Sequence, residues 1–183
     1  MKYFSSTEPE IINFSRGIIP EDYLFEKRAS VFASSVFLAH SSADKEDLPN
    51  VIGFLERHGA RVYIDKADKD LPQKTSTETG LKLKERISQC SKFIVLVTPN
   101  SKNSRWIPWE LGIADEKKKL QNVALLPDVG NQINPEWPQQ EYLGLYPRIV
   151  FGAHKSFANP IWMVFNHHEN TGTELGQWLR GES

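Results

Sequence analysis

The chain has 183 residues, of which 39% are hydrophobic and 25% are charged, and its net charge is −1 at pH 7. This composition is that of a globular protein, not of a disordered chain, and it lacks the basic surplus that nucleic-acid-binding proteins carry. Its single cysteine excludes an intramolecular disulfide, and no stretch resembles a signal peptide or is long enough to span a bilayer, so we expect a cytoplasmic protein without nucleic-acid or membrane partners.

Five apolar runs predict the strands of a sheet. In chain order they are "SVFLAH" at 35–40, "RVYID" at 61–65, "KFIVLVT" at 92–98, "NVALLP" at 122–127 and "RIVF" at 148–151. Helices are predicted after the first three runs; they end near Gly59, Cys90 and Leu120, and the second begins at Leu81. Because the strands alternate with helices and are apolar throughout, we expect a parallel sheet with helices on both faces.

Two extensions flank the predicted domain at 35–151. Residues 1–34 contain a predicted helix, "EDYLFEKRASVF", and residues 152–183 contain "NPIWMVFNHHE" and a predicted short helix, "TELGQWL". We expect both extensions to pack on the core domain. Within the domain, Cys90 is interpreted as a small packed residue. The run Lys117–Lys119 is interpreted as the solvated end of a helix, where cations suit the helix dipole.

Ligands of parallel sheets bind beyond the carboxyl ends of the strands. Three segments occupy that position: "HSSAD" after the first strand, the polar "KADKDLPQKTSTETG" after the second, and "NSRWIPWEL" after the third. The second segment reads as a long loop, and loops of that length inside compact domains are usually functional or mobile. We therefore expect the functional site at this edge of the sheet.

The segment "NSRWIPWEL" admits two interpretations on its residues alone. Pro108 suits the first turn of a helix, and Trp106 and Glu110, four residues apart, would then share a face. A glutamate there is favoured by the helix dipole alone, and tryptophans can simply cover a core. The same residues could instead form a binding site in which an aromatic ring and a carboxylate meet a cation.

The loop after the first strand is equally open. His40 is either a satisfied strand-end histidine or a binding residue. Ser41, Ser42 and Asp44 are all natural helix N-caps, and for Asp44 we predict that structural role.

Four motifs in order make the chain resemble the Toll/interleukin-1 receptor (TIR) domain, of the stand-alone bacterial kind. They are "VFLAHSSADKE" for the first strand and its loop, "GARVYID" leading to the so-called BB loop, "CSKFIVLVTPNSKNSRW" for the third strand, and "WIPWE" for the W-x-x-x-E element. The resemblance covers about residues 35–151. It implies an α/β, flavodoxin-like fold with a parallel sheet and helices on both faces.

The resemblance also implies an activity, because TIR domains of this type often break the nicotinamide–ribose bond of NAD. Glu110 would be the catalytic residue, Trp106 would bind substrate, and His40, Ser41 and Ser42 would contribute to the nucleotide pocket. Nicotinamide in NAD is cationic and leaves as a neutral molecule, so one carboxylate that stabilises the ribosyl cation can suffice. NAD would be the substrate; no cofactor is expected, and no metal, since the remaining histidines match no ligand pattern.

A chain with no attached sensor or effector resembles the signal-producing component of Thoeris-type antiphage systems. Such an enzyme makes a cyclic ADP-ribose isomer, or another ADP-ribose derivative, for a separate effector protein. The resemblance further implies homo-oligomers through TIR–TIR contacts, in which the long loop of one subunit completes a neighbouring site, and activation by a phage component.

Two alternatives belong to other classes. The first is a non-catalytic TIR adaptor or virulence mimic that acts through TIR–TIR assembly by way of the long loop. The second is a nucleoside-processing transferase with a similar sheet, which would not need NAD. Glu110 favours the enzyme over the adaptor, since an adaptor has no need of an acid at that position.

Overall fold

The computed structural model describes residues 2–5, 34–65, 77–128, 141–155 and 157–181. The predicted helix "EDYLFEKRASVF" and residues 66–76 of the predicted long loop lie outside these ranges. The strands are β1 (Ser34–Ala39), β2 (Ala60–Tyr63), β3 (Lys92–Val97), β4 (Val123–Pro127), β5 (Arg148–Gly152), β6 (Ile161–Asn166) and β7 (Thr171–Glu174). The α-helices are α1 (Leu48–Arg57), α2 (Thr77–Gln89), α3 (Ile107–Lys118) and α4 (Leu175–Arg180).

The strands form one sheet in the order β2-β1-β3-β4-β5-β6-β7. The first five strands are parallel, with Val36 of β1 level with Val62 of β2 and with Lys92 of β3. The order 2-1-3-4-5 is that of flavodoxin-like sheets. The five predicted strands and the predicted fold class are therefore confirmed.

The last two strands make the sheet mixed, which the alternation of strands and helices did not predict. β6 runs antiparallel to β5, and β7 runs antiparallel to β6. In the connection between β6 and β7, the Asn166 side chain accepts hydrogen bonds from the backbone N–H groups of His168 and Glu169, at 3.0 and 3.3 Å. Asn170 has a φ of 52°, a left-handed conformation that asparagine tolerates better than most residues. This turn chemistry reverses the chain without a crossover helix.

Alternate residues of the central strands β1, β3 and β4 enter two separate cores. Val36 and Leu38 of β1 face the core under α1 and α4, while Phe37 and Ala39 face the core under α2 and α3. This two-sided burial explains why the parallel strands contain continuous apolar runs, such as Phe93–Val97 of β3. The sheet thus separates the helices into two layers, as predicted.

The residues at both ends of the described chain contribute to the first of these cores. Phe4 is fully buried, and its ring centroid lies 4.8 Å from that of Phe54 and 6.4 Å from that of Trp162. Lys2 pairs with Phe151 of β5 through backbone hydrogen bonds in both directions. The short helix predicted at "TELGQWL" is confirmed as α4, and its Trp178 packs in the same core.

Two predictions about the helices need correction. α2 begins at Thr77, not at Leu81. The run Lys117–Lys119 is not a solvated helix end throughout, because Lys118 is only 7% exposed and its Nζ donates to the carbonyl oxygen of Cys90. Burial lowers the pKa of Lys118. The helix dipole favours a cation at this end, but here the packing of α3 against the start of β3 places one lysine inside.

Cys90 is buried among apolar side chains, as predicted, and this burial raises its pKa to about 11. Such a thiol is unreactive near neutral pH, because the thiolate is the nucleophile. In the described part of the chain, no helix is both long and apolar enough to cross a membrane.

Candidate active site

The carboxyl ends of β1, β2 and β3 lie side by side at one edge of the sheet. β1 pairs in parallel with both β2 and β3, so the segments that follow the three strands leave the sheet together. His40 follows β1, Asp65 follows β2, and Glu110 lies in α3, the helix that follows β3. Three segments far apart in sequence therefore meet at the edge where parallel sheets bind ligands.

The start of α3 is determined by local chemistry. The Ser104 hydroxyl oxygen accepts hydrogen bonds from the backbone N–H groups of Trp106 and Ile107, at 3.3 and 3.2 Å, and so satisfies donors that a helix start leaves without partners. Pro108 lies in the first turn, as predicted, where its missing N–H removes no helical hydrogen bond. The Glu110 N–H then donates to the Trp106 carbonyl at 2.8 Å.

Glu110 is buried, with 4% of its surface exposed. It lies within the stripe of α3 that enters the core, whose buried members are Ile107, Glu110, Leu111, Ala114 and Lys118. The apolar members of this stripe hold the helix against the sheet and so carry the carboxylate inside. Glu110 is therefore not simply an exposed acid at a helix start.

Burial is also the main determinant of the Glu110 charge state. Burial, with a smaller contribution from the nearby negative charge of Asp65, raises the pKa of Glu110 to about 8. The positive end of the helix dipole favours the ionised form, but desolvation and the like charge outweigh it. A cation bound here would favour ionisation, and perturbed carboxylates of this kind concentrate at functional sites.

His40 and Asp65 form a second part of the site. The His40 side chain is 1% exposed, and its Nδ1 lies 3.2 Å from the carbonyl oxygen of Leu38. Because that oxygen can only accept, Nδ1 carries a hydrogen. The Nε2 atom lies 3.9 Å from Oδ1 of Asp65, whose side chain is 32% exposed. His40 is thus both a strand-end histidine with a backbone partner and a neighbour of a carboxylate.

Asp65 was not among the residues predicted for the site. It follows β2 as His40 follows β1, and the preference of ligands for the carboxyl ends of parallel strands could have identified it. Asp65 is the last residue of the predicted strand "RVYID" and directly precedes the long polar segment.

The two serines have different surroundings. The Ser41 hydroxyl is buried and accepts a hydrogen bond from the backbone N–H of Ala43 at 3.3 Å, so it caps the short 3-10 turn Ser42–Asp44. Ser42 is exposed at the start of that turn. Both lie at the same edge of the sheet as Glu110, and their predicted contact with the nucleotide stays a prediction.

The predicted N-cap role of Asp44 is wrong. Its carboxylate is buried, and it accepts hydrogen bonds from the Thr98 hydroxyl at 3.0 Å and from the Asn100 side-chain amide at 2.7 Å. The N-cap position of α1 belongs to Asp47. Asp44 therefore connects the loop after β1 to the loop after β3, a pairing between distant segments that a local capping rule does not predict.

Trp106 and Trp109 are 36% and 39% exposed at the start of α3. Their rings meet edge to face, with centroids 5.3 Å apart and planes at 81°. The Trp109 ring lies over Gly80 of α2, where a Cβ atom would come within 3.8 Å of it. The Trp109 ring thus packs between the start of α3 and α2, and its other contact is with the ring of Trp106 at the N-cap.

Among the described residues, no group of three or more histidines, cysteines and acids could hold a metal ion. The rings of His167 and His168 are in contact, with centroids 4.2 Å apart and planes tilted by 38°. Nε2 of His168 lies 2.9 Å from the carbonyl oxygen of Gly144, so this ring has a hydrogen-bond partner in the backbone.

The comparisons with known proteins agree with this architecture. A protein of Bacillus cereus strain MSX-D12, named "Probable 3' cyclic ADP-D-ribose synthase ThsB'", is 38% identical over 120 residues, which are 64% of this chain and 61% of that protein. The chain therefore spans less than two thirds of the length of this relative. The profile of the TIR domain matches residues 36–153, a range that includes His40, Asp65 and Glu110. Since this match extends over more than half of the chain, the protein belongs to the TIR domain family.

Proposed function

We propose that this protein cleaves the nicotinamide–ribose bond of NAD and converts the ADP-ribose part into a cyclic product. The observation that carries the proposal is the buried Glu110, whose pKa is raised to about 8 at the ligand-binding edge of the sheet. The relative from Bacillus cereus supports the product class by its name, as a probable 3' cyclic ADP-D-ribose synthase.

The chemistry of NAD suits this carboxylate. The nicotinamide ring carries a positive charge that passes to the ribose as the C1–N bond breaks, while nicotinamide leaves neutral. Glu110, ionised by the approach of the cation, would stabilise the ribosyl cation. Fixed charges aimed at developing charge in a water-poor site are often the largest contribution to catalysis. The Trp106 ring would contact the pyridinium, a cation–π interaction worth about 0.5–2 kcal/mol.

The main competing function is a TIR adaptor without activity. Burying a carboxylate costs folding free energy, because the charged form loses its hydration. A protein that acts only by contact with other TIR domains gains nothing from a buried carboxylate that lowers its stability. The buried Glu110 therefore favours the enzyme, and measurement of nicotinamide release distinguishes the two.

The wider biological role is part of the same proposal. We place the protein in the cytoplasm as the signal-producing component of a Thoeris-type antiphage system, activated by a phage component and read by a product-sensing effector. It would act as a homo-oligomer through TIR–TIR contacts, to which the segment "KADKDLPQKT" contributes. NAD serves as substrate, and no separate cofactor is required.

Glu110→Gln should lower NAD cleavage by about 100-fold or more, because the amide retains the size of the side chain but cannot carry the charge that the ribosyl cation needs. The measurement is nicotinamide release by chromatography, with circular dichroism to confirm the fold. Glu116→Gln is the matched control, since Glu116 is exposed on the same helix and contacts Lys117. Wild-type turnover by the Glu110 variant would refute the assignment of the carboxylate.

The pH dependence follows from the same residue. In the unliganded protein Glu110 ionises near pH 8, so kcat/KM should rise with pH up to about 8, whereas kcat should level off at lower pH because the bound cation favours ionisation.

The folded-state pKa of Glu110 lies above the ordinary value of 4.5, so this group's contribution to stability is complete below pH 4.5 and is lost as the pH rises through about 8. Thermal melting of wild type and Glu110→Gln across this range measures the second effect. Parallel profiles for the two proteins would contradict it.

The product distribution tests the role of Trp106. If its ring holds nicotinamide and limits the access of water, a nucleophile within the ADP-ribose competes well, since proximity is worth about 7–11 kcal/mol. We expect wild type to form a cyclic product, and Trp106→Ala to shift the balance toward linear ADP-ribose or to stop turnover. Mass spectrometry after complete NAD consumption gives the ratio, with Trp109→Phe as the aromatic control. Only linear ADP-ribose from wild type, even with phage extract present, would favour NAD depletion over signalling.

Self-association should appear in the concentration dependence of the activity. If a neighbouring subunit completes the site, specific activity should fall on dilution, and substitutions within "KADKDLPQKT" should weaken assembly and turnover together. Light scattering and the rate of nicotinamide release would be followed over the same dilution series. Constant specific activity from a monomer would exclude the requirement.

A further inference from the structure

The site contains a second carboxylate that cleavage of the C1–N bond does not require. Oδ1 of Asp65 is 3.9 Å from Nε2 of His40, and the charge of Asp65 adds to the effect of burial in raising the pKa of Glu110. The two acids come from different segments, one after β2 and one in α3, so the fold and not local sequence brings them together. Two carboxylates in different environments at one site often divide two chemical roles.

The surroundings of the two acids differ in a way that suits such a division. Glu110 is 4% exposed, whereas the side chain of Asp65 is 32% exposed. A buried carboxylate is suited to stabilise a cation in a medium of low dielectric constant. A carboxylate that reaches solvent is suited to accept a proton and then release it to water. The buried ring of His40, with its Nδ1 in contact with the Leu38 carbonyl, lies beside this carboxylate.

The proposed reaction has one step that needs a base. When nicotinamide leaves, the C1–N bond breaks and its electron pair remains on the ring nitrogen. A hydroxyl group, of the substrate itself or of water, then forms a bond to C1 and must lose its proton. Glu110 is poorly suited to take that proton, because protonation would remove the charge that stabilises the cation.

Resting on the proposed NAD cleavage, we infer that Asp65 is the general base that accepts the proton of the attacking hydroxyl group. The oxygen lone pair forms the new O–C1 bond, the proton passes to the Asp65 carboxylate and from there to solvent, and nothing is oxidised or reduced. Asp65 thus acts on the acceptor, whether that acceptor is a ribose hydroxyl or water.

Nicotinamide exchange separates the two steps. Isotope-labelled nicotinamide can attack the ribosyl cation through its ring nitrogen, which carries no proton, and so return labelled NAD without a base. Asp65→Asn should therefore lower net NAD consumption by about 100-fold or more, the range of general-base effects, and keep incorporation of label within about threefold of the rate of wild-type bond cleavage. Both rates come from mass spectrometry of the NAD pool. Asp65→Glu, which keeps a carboxylate, should recover part of the consumption.

Two variants serve as controls in the same assay. Glu110→Gln should lose exchange and consumption together, because it prevents formation of the cation. Asp44→Asn changes a carboxylate that connects two loops, and it should lower both rates in parallel, as expected for a structural role. Circular dichroism and melting curves establish that each variant is folded.

The outcomes distinguish this inference from the proposed function. If Asp65→Asn loses exchange and consumption in equal proportion, or keeps both, Asp65 is not the base, while NAD cleavage by the wild type still stands. If the wild type releases no nicotinamide at all, the proposed function fails, and the role of Asp65 fails with it. Retained exchange with lost consumption is the result that supports the inference.

Discussion

The burial of the Glu110 carboxylate in the packing of α3 against the sheet is the constraint on which the site depends. The helix is held by Ile107, Leu111 and Ala114, which enter the core formed with β3 and β4. Glu110 lies in the same stripe of the helix, so it cannot remain in solvent while these residues are buried. The hydrophobic effect, about 25 cal/mol per Å² of apolar surface, thereby holds a carboxylate where its charge is unfavourable.

The surrounding structure makes this arrangement rigid. Asp44 accepts hydrogen bonds from Thr98 and Asn100 and so connects the loops after β1 and β3. The Ser101 hydroxyl adds bonds to the Leu96 carbonyl and from the Thr98 N–H, both at 2.9 Å. These loops carry His40 and lead into α3. Polar groups that are buried and satisfied in this way favour one conformation of the site.

A buried carboxylate near a partly exposed one would allow a TIR domain to divide two steps of catalysis between two acids. Stabilisation of a ribosyl cation and removal of a proton from its acceptor place opposite demands on a single acid, since the first needs it ionised and the second protonates it. In the proposed reaction, the buried Glu110 would stay ionised, and the partly exposed Asp65 would take up the proton. The same geometry would serve hydrolysis or cyclisation, and the aromatic surface near Trp106 would influence which acceptor arrives first.

Much of the fold and part of the site could be predicted from the sequence. Apolar runs and helical periods located the five parallel strands and the helices between them. These patterns depend only on the period of each element and on whether one or both of its faces are buried. Pro108 marked the first turn of α3, and the W-x-x-x-E element of the TIR resemblance predicts Glu110 and Trp106 as site residues. The rule that parallel sheets bind ligands at their carboxyl ends predicts a site at the edge of the sheet where these residues lie.

Only the tertiary structure decided which distant groups meet. Lys118 is buried because α3 ends against the start of β3, although a lysine run reads locally as a solvated helix end. Asp44 pairs with the loop after β3 instead of capping its own helix. Asp65 approaches His40 because β1 and β2 are parallel neighbours, and its charge reaches Glu110 in α3. Hydrophobic period and capping rules describe neighbours along the chain, whereas these contacts depend on strand order and register, which arise when the whole sheet assembles.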